Sequence, residues 1–425
     1  MKSPVHVVLP DSGAELLRQE LAHGFAQAGC RVSRVHPASL HDSRSPHSLV
    51  GLADSGPFLL FSVNFQGLNP LRQTLELLEQ SGSRAAVWCV DNPWNLLAGV
   101  RDPRWKSLPC FVTDASFIAP LQEHGASMAL HLPLAASPEL FCPNPAPPST
   151  LPAPDDLAPF VFVGRSAFPG KDAFFAGQAV PEGLRRQAED MLPQGLRPDL
   201  SWWEQELGCS PASFWPGKAA RRPALGAENA NLVWRSLCLR AAAAAGLNMH
   251  SGQSGRGGRA AWSVPAGKAG LDNSPGGEYP GLDIFGDQGW QSALPASARL
   301  RPPVDYYVRL PGIYSAARFS LCLTSLQLPK GLTQRHFDVW MAGGLCLSDA
   351  TPGLNLFPEE LVRPIVFRKP DDIGTVAEKL EKSYSRQVLA ADWQSCLRER
   401  HTYAHRAMAV LEAVSRAENI HCNRS

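Results

Sequence analysis

The 425-residue sequence has no Cys-x-x-Cys pair, no apolar run near membrane-spanning length, and almost no net charge. Each absence removes a class of protein. Lys and Arg number 40 against 39 Asp and Glu, so a nucleic-acid binder driven by bulk counterion release, a polybasic membrane anchor and an acidic tail all lack support. The ten cysteines are scattered, which argues against zinc ribbons and disulfide scaffolds. Several sit in apolar runs, such as Cys89 and Cys322, and read as small buried hydrophobes in a reducing cytosol. The first apolar run ends by Asp11, too short for a signal peptide, and a cytoplasmic address follows by default. Charged residues at 19% and hydrophobic residues at 44% leave ample material for a core. What the chain has in excess is glycine (35) and proline (38), about a sixth of all residues. Its length predicts two domains.

Strand-like and helix-like segments alternate through the first third. Val5–Leu9, Arg31–Val35, Phe58–Val63, Arg84–Val90 and Pro109–Thr113 read as strands, with helices predicted over 14–28 and 70–80. Apolar strands separated by single helices indicate a parallel sheet wound on both faces, whose ligands bind beyond the carboxyl ends of the strands. The Pro-dense segment 142–159 is the expected boundary between an N-terminal lobe over 1–141 and a second lobe over 160–390. Phe160–Arg165 opens the second lobe, and an Ala-rich helix is expected from about Glu228 to Ala245. Residues 251–277, Gly-rich and without apolar pattern, read as an exposed insertion. Further strands are predicted at 282–287, 319–323, 345–348 and 365–367, with helices over 373–384 and 392–417 and a closing segment over 391–425.

The densest stretch runs from Leu328 to Gly344. Pro329-Lys330-Gly331 reads as a turn, Thr333 as the cap of a helix carrying Gln334, Arg335 and His336 in its first turn, and Gly343-Gly344 as its stop. A helix N-terminus flanked by Lys330 and Arg335 suits a diphosphate, and Asp338, one turn on, suits two ribose hydroxyls. The competing reading is a capped amphipathic helix with a solvated face.

Leu328–Asp349 followed by Thr351-Pro352-Gly353 resembles the donor-binding region of GT-B glycosyltransferases, and more narrowly of the bacterial CgeB-like glycosyltransferases. Val87–Trp94 and His131–Ala135, with Phe111–Asp114 between them, resemble the N-terminal domain that often precedes this transferase domain; His401-Thr402-Tyr403-Ala404-His405-Arg406 resembles its closing HTYxxR signature. The resemblance implies an α/β GT-B fold of two Rossmann-like lobes across a cleft. It further implies a hexosyltransferase-like enzyme, a nucleotide-diphosphate-sugar donor on the C-terminal lobe, an acceptor on the N-terminal lobe and no obligatory metal. It assigns Lys330, Gly331, Thr333, Arg335, Asp338, Thr351 and Gly353 to the donor. Gly164, Arg165 and Lys171 match a strand-Gly-Arg…Lys pattern that holds the diphosphate, and Asp287 falls near the base or closes a turn.

The chain departs from the retaining pattern of two Glu separated by seven residues: those positions hold Lys330 and Asp338. The stereochemistry therefore stays open. A general base for an inverting reaction has to come from the N-terminal lobe, where Asp11, Asp91 and His131 stand near strand ends. Asp91-Asn92-Pro93 also reads as an Asx turn, and His131 as a core histidine. His401 and Tyr403 read as packing residues. A non-catalytic GT-B sugar-binding or scaffold protein is the second reading, motivated by Lys330, and a nucleotide-sugar epimerase the third.

Overall fold

A computed structural model describes residues 5–13, 17–142, 156–254 and 280–422. Two six-stranded, wholly parallel sheets dominate it. The first contains β1 (His6–Pro10), β2 (Arg31–Val35), β3 (Leu59–Val63), β4 (Arg84–Cys89), β5 (Pro109–Val112) and β6 (Met128–His131), in the order β2-β1-β3-β4-β5-β6. The second contains β7 (Phe160–Val163), β8 (Leu282–Phe285), β9 (Ala298–Arg301), β10 (Phe319–Cys322), β11 (Cys346–Asp349) and β12 (Val366–Phe367), in the order β12-β11-β10-β7-β8-β9. The central strands are buried along almost their whole length, as a parallel sheet covered on both faces requires. Both lobes expected of a GT-B chain are thus present. Each sheet reverses its strand order once, between β1 and β3 in the first and between β7 and β10 in the second. Those two switch points are where a doubly wound sheet opens a crevice.

The chain does not end on its second lobe. The predicted helix over 392–417 is two helices, Arg386–Arg400 and Tyr403–Cys422, broken at His401-Thr402. Thr402 forms an isolated parallel bridge with Ala136, and the Ala136 amide donates to the His401 carbonyl at 2.8 Å. Pairing with the first lobe draws those two residues out of the helical ladder. The last helix then lies on α1 (Arg18–Gln27), where a Cβ on Gly24 would meet the backbone of Tyr403 at 2.6 Å.

Three motifs far apart in sequence close this seam. Trp88 donates through Nε1 to the Leu132 carbonyl at 2.9 Å and packs edge-on against Tyr403. Arg406 donates to the carbonyls of Pro133 (2.8 Å) and Leu134 (3.2 Å).

Other expectations need adjustment. The Ala-rich helix is much longer, α2 (Arg222–Ser254), and takes Ser251–Ser254 from the predicted insertion; the remainder of 251–277 lies outside the described residues, as does most of 142–159. Strand β9 and helix Leu310–Ala316 have no counterpart in the sequence reading. Among the cysteines, Cys89, Cys110, Cys238, Cys322 and Cys346 are buried, whereas Cys142 is exposed.

Candidate functional site

The loops leaving the carboxyl ends of the two sheets meet. The Lys330 amide, beyond β10, donates to Asp114 Oδ2, beyond β5, at 2.8 Å. Asn95 donates to Gln327 Oε1 at 2.7 Å, and Gln327 passes the connection to Glu228 on α2 at 2.7 Å. The switch point between β7 and β10 lies in the same region.

Gly164 follows β7 and lies directly against Arg335. A Cβ there would stand 2.8 Å from the guanidinium and 3.0 Å from the Phe162 ring, so only glycine leaves that approach open. Arg335 sits on helix α3 (Gln334–Met341), with its guanidinium 4.8 Å from the Phe162 ring centroid. It forms no ion pair among the described residues. Arg235 on α2 lies within the field of Arg335 and has a buried Nε with no hydrogen-bond partner. Burial lowers its pKa, and Glu228 opposes that shift. Arg335 at the sheet switch point, with Arg235 in its field and no carboxylate hydrogen-bonded to either, concentrates positive charge beside a helix N-terminus.

The other predicted donor residues surround this crevice unevenly. Arg165 is exposed and makes no hydrogen bond among the described residues, while Lys171 reaches Asn229 Oδ1 at 3.3 Å. Asp287 is a clamp: its carboxylate accepts from the Ser166 amide (3.0 Å) and hydroxyl (2.6 Å) and from the Gly289 amide (2.9 Å). Burial pushes its pKa up, but those bonds outweigh it and the net shift is downward.

The Lys330 side chain is exposed and Gly331 is buried against Asp114. Gly353 lies against the Lys330 carbonyl, so the Thr351–Gly353 turn packs on the Pro329–Gly331 turn. The Thr351 hydroxyl is buried without a partner. Thr333 occupies the cap position of α3, but its hydroxyl pairs with His336 Nδ1 at 3.0 Å instead of capping a backbone amide.

Asp338 departs from its expected place. It is 1% exposed, with Oδ2 accepting from the Tyr306 hydroxyl and Oδ1 from Gln334 Nε2, both at 2.7 Å. Burial raises its pKa well above the carboxylate range. The cause is the helix face: Asp338 shares the side of α3 with Gln334, and that side turns into the seam where Tyr403 donates to Gln334 Oε1 at 2.6 Å. Both carboxylate oxygens are held inside the protein rather than turned out to accept two ribose hydroxyls.

In the first lobe, Asp91 follows β4 and is open to solvent. Asn64 donates to its Oδ2 at 2.7 Å and fixes its backbone by accepting from the Val90 amide at 3.0 Å. Crowding by protein atoms raises the Asp91 pKa, and the Asn64 bond partly offsets this. The Asx cap of the next helix, Pro93–Leu97, belongs to Asn92, which accepts from the Trp94 amide, so Asp91 stays outside the turn. His131 is exposed at the end of β6, not a core residue, and its Nε2 lies 3.3 Å from the Thr113 carbonyl. Burial lowers its pKa despite the bond to Thr113 and the nearby Asp114. Asp11 accepts from the Gly13 amide at 2.8 Å and pairs with Arg34 at 3.6 Å.

Cys322, His336 and Cys346 bring three potential metal-ligand atoms within 4.8 Å of one another in the core. Both His336 nitrogens are already on hydroxyls, Nδ1 on Thr333 and Nε2 on Ser348 at 2.9 Å, and burial holds its pKa at about 4. The arrangement is that of packed core side chains around a neutral imidazole.

Arg235 escaped the sequence reading. The only signal for it is a single cation inside Leu232-Val233-Trp234-Arg235, on an otherwise Ala-rich helix.

Residues 270–412, about a third of the chain, match the family described as Glycosyl transferase-like. A search of the curated proteins returns no match. Among solved structures, Anabaena Alr3699/HepE in complex with UDP is 9% identical with a TM-score of 0.49, over 97% of this chain and 99% of that one. The trehalose-6-phosphate synthase OtsA is 11% identical with a TM-score of 0.46, over 97% and 99%. T4 phage BGT in complex with its UDP-glucose substrate is 9% identical with a TM-score of 0.45, again over 97% and 99%.

Proposed function

We propose that this chain transfers a sugar from a nucleotide-diphosphate donor to a hydroxyl acceptor, without an obligatory metal, as a CgeB-like glycosyltransferase of the cytoplasm. The observation that carries the reading is the pair Arg335 and Arg235. Neither is hydrogen-bonded to a carboxylate among the described residues; Arg335 lies against Gly164 at the switch point of the second sheet, and Arg235 lies within its field. A diphosphate leaving group develops negative charge as the bond to the sugar breaks, and fixed guanidiniums stabilise that charge without reorganising. Arg165, Lys171 and Lys330 add positive charge at the rim, and the Thr351 hydroxyl supplies a donor to the same ligand.

On the opposite lobe Asp91 serves as general base. It accepts the acceptor hydroxyl proton while the oxygen bonds to the anomeric carbon and the nucleoside diphosphate departs. His131 is the second candidate, exposed and with its pKa lowered. A raised carboxylate pKa suits Asp91, since a base works best when its pKa approaches the working pH.

The test is a thermal-shift screen of UDP-, GDP- and dTDP-sugars followed by slow donor hydrolysis, with Arg335→Ala and Arg235→Ala as variants. Binding and turnover that both variants abolish support the proposal. A panel in which nothing binds removes it. A second reading, a donor-binding protein without catalysis, is favoured by Lys330 in the position of an acid and by the burial of Asp338. Binding without hydrolysis or transfer selects it.

A further inference from the structure

Helix Pro93–Leu97, which follows Asp91, is fastened to the second lobe through Asn95. The Asn95 side-chain amide donates to Gln327 Oε1, and Gln327 Nε2 donates to Glu228 Oε2, each at 2.7 Å. The Asn95 carbonyl accepts from Arg221 Nε at 3.3 Å. Arg221 is itself held by the Phe174 carbonyl at 2.9 Å, with its guanidinium 3.8 Å from the Phe174 ring centroid. Asn95 and Glu228 are 7% and 6% exposed, so water competes little for these bonds. The chain of side chains also has a direction. A carboxylate only accepts, which turns the Gln327 nitrogen towards Glu228 and its oxygen towards Asn95. Asn95 must then donate, and its Oδ1 is left buried without a partner.

The two ends of this chain lie beside the two halves of the proposed chemistry. Asp91 stands four residues before Asn95, with Asn92 capping the helix between them. At the other end, Glu228 lies in the field of Arg235. We propose that Asn95 is a positioning residue of the transfer reaction, and that the one-way chain Asn95–Gln327–Glu228 sets where the Asp91 turn stands against the donor crevice. The inference rests on the transferase reading with Asp91 as base, and deepens it. The bond from Asn64 orients the Asp91 side chain, but it lies wholly within the first lobe. It leaves the distance from base to donor to contacts that cross between the lobes, and Asn95 makes two of them. A misplacement of about 1 Å is enough to cost a reaction about a hundredfold.

The experiment is a double-mutant cycle on the full-length protein. UDP-glucose, GDP-mannose and dTDP-glucose are the probes, and the reaction is donor hydrolysis, with water giving its proton to Asp91 in place of the acceptor. Asn95→Asp puts a carboxylate at both ends of Gln327, whose amide nitrogen can face only one of them. It is expected to lower kcat about tenfold while donor KM, and the Kd of the matching nucleoside diphosphate, stay unchanged. In a Glu228→Gln background the Gln327 amide can turn round, and the chain runs in the opposite direction with its donors and acceptors matched. The same Asn95→Asp change should there cost about threefold or less. An equal cost in both backgrounds overturns the inference, as does an unchanged kcat or a Kd that weakens by the same factor. Melting points report whether each variant folds. If Asn95→Asp does not, Gln327→Glu serves the same cycle, since it still accepts from Asn95 but opposes Glu228 until Glu228→Gln relieves it. A wild type that hydrolyses none of the three probes removes the transferase reading and the inference with it. Turnover without coupling between the two positions removes only the role of Asn95.

Discussion

Arg335 lies over the ring of Phe162, 4.8 Å from its centroid, with Gly164 closing the third side of the contact. The glycine keeps the guanidinium pressed to the strand end instead of swung into solvent. Gly164→Ala should therefore displace the far end of a flexible side chain and leave the fold largely intact. Melting is expected to report a loss within about 1 kcal/mol, and calorimetry a weakening of nucleotide-sugar binding of about tenfold. Undiminished affinity would mean that Arg335 does not meet the donor from this position.

One buried charge of the second lobe is structural. Asp349 is fully buried and accepts from Arg197 at 2.6 Å, from the Thr324 amide at 3.0 Å and from Trp234 Nε1 at 2.9 Å. Arg197→Ala strands that carboxylate in the core, which costs about 3–5 kcal/mol for a buried pair broken on one side. Urea unfolding measures it. A loss below about 1 kcal/mol would show that the remaining donors hold Asp349 unaided.

Strand and helix alternation was legible because each strand is a short apolar run buried on both faces, as in Phe160–Val163 and Phe319–Cys322. Strand β9 was not, since its Ala298-Arg299-Leu300-Arg301 has the polar content of a sheet edge and its arginines serve Asp283. The Lys330–Asp338 segment was correctly placed beyond a strand and into a helix. Sequence spacing could not show which side of that helix faces the seam, and there Asp338 was lost from the expected ribose position. The motifs Val87–Trp94, His131–Ala135 and His401–Arg406 were conspicuous as sequence, yet much of what they do is join the terminal helix to the first lobe. Arg235 was silent, because a lone cation gains meaning only from what the fold brings beside it.

His336 carries a pH signature. Its pKa is near 4 in the folded protein because burial disfavours the imidazolium, against 6.5 for the free side chain. The folded state thus binds fewer protons between those values, so stability present above pH 6.5 is lost as the pH falls towards 4. The displacement corresponds to about 3 kcal/mol at most. Urea titrations across that window are expected to show the loss in wild type and a flatter profile in His336→Gln. Parallel profiles would place the proton elsewhere.

The docking of the terminal helix admits no side chain at Gly24, where a Cβ would approach the Tyr403 carbonyl at 2.6 Å. That neighbour is backbone, so Gly24→Ala must separate two helices and cannot be relieved by a rotamer change. A loss of about 1–3 kcal/mol is expected from overpacking. The Tyr403–Gln334 bond lies on the same seam, so hydrogen exchange should quicken in both the terminal helix and α3. Faster exchange confined to α1 would show that the two lobes are not coupled through this contact.

Asn64 offers the sharpest test of the proposed base. Its backbone is left-handed, so Asn64→Gly removes the amide side chain without adding backbone strain. The Asn64 hydrogen bond lowers the Asp91 pKa against the larger upward push of desolvation. Without it the carboxyl becomes harder to ionise. If Asp91 must be deprotonated to accept the hydroxyl proton, activity falls as the pH drops through its pKa, and Asn64→Gly should move that acidic limb of the kcat/KM profile to higher pH. Recovery of most of the wild-type rate at alkaline pH distinguishes a shifted base from a damaged site. A uniform reduction with the limb unmoved would remove Asp91 from the proton transfer and leave Asn64 a purely structural tie between β3 and β4.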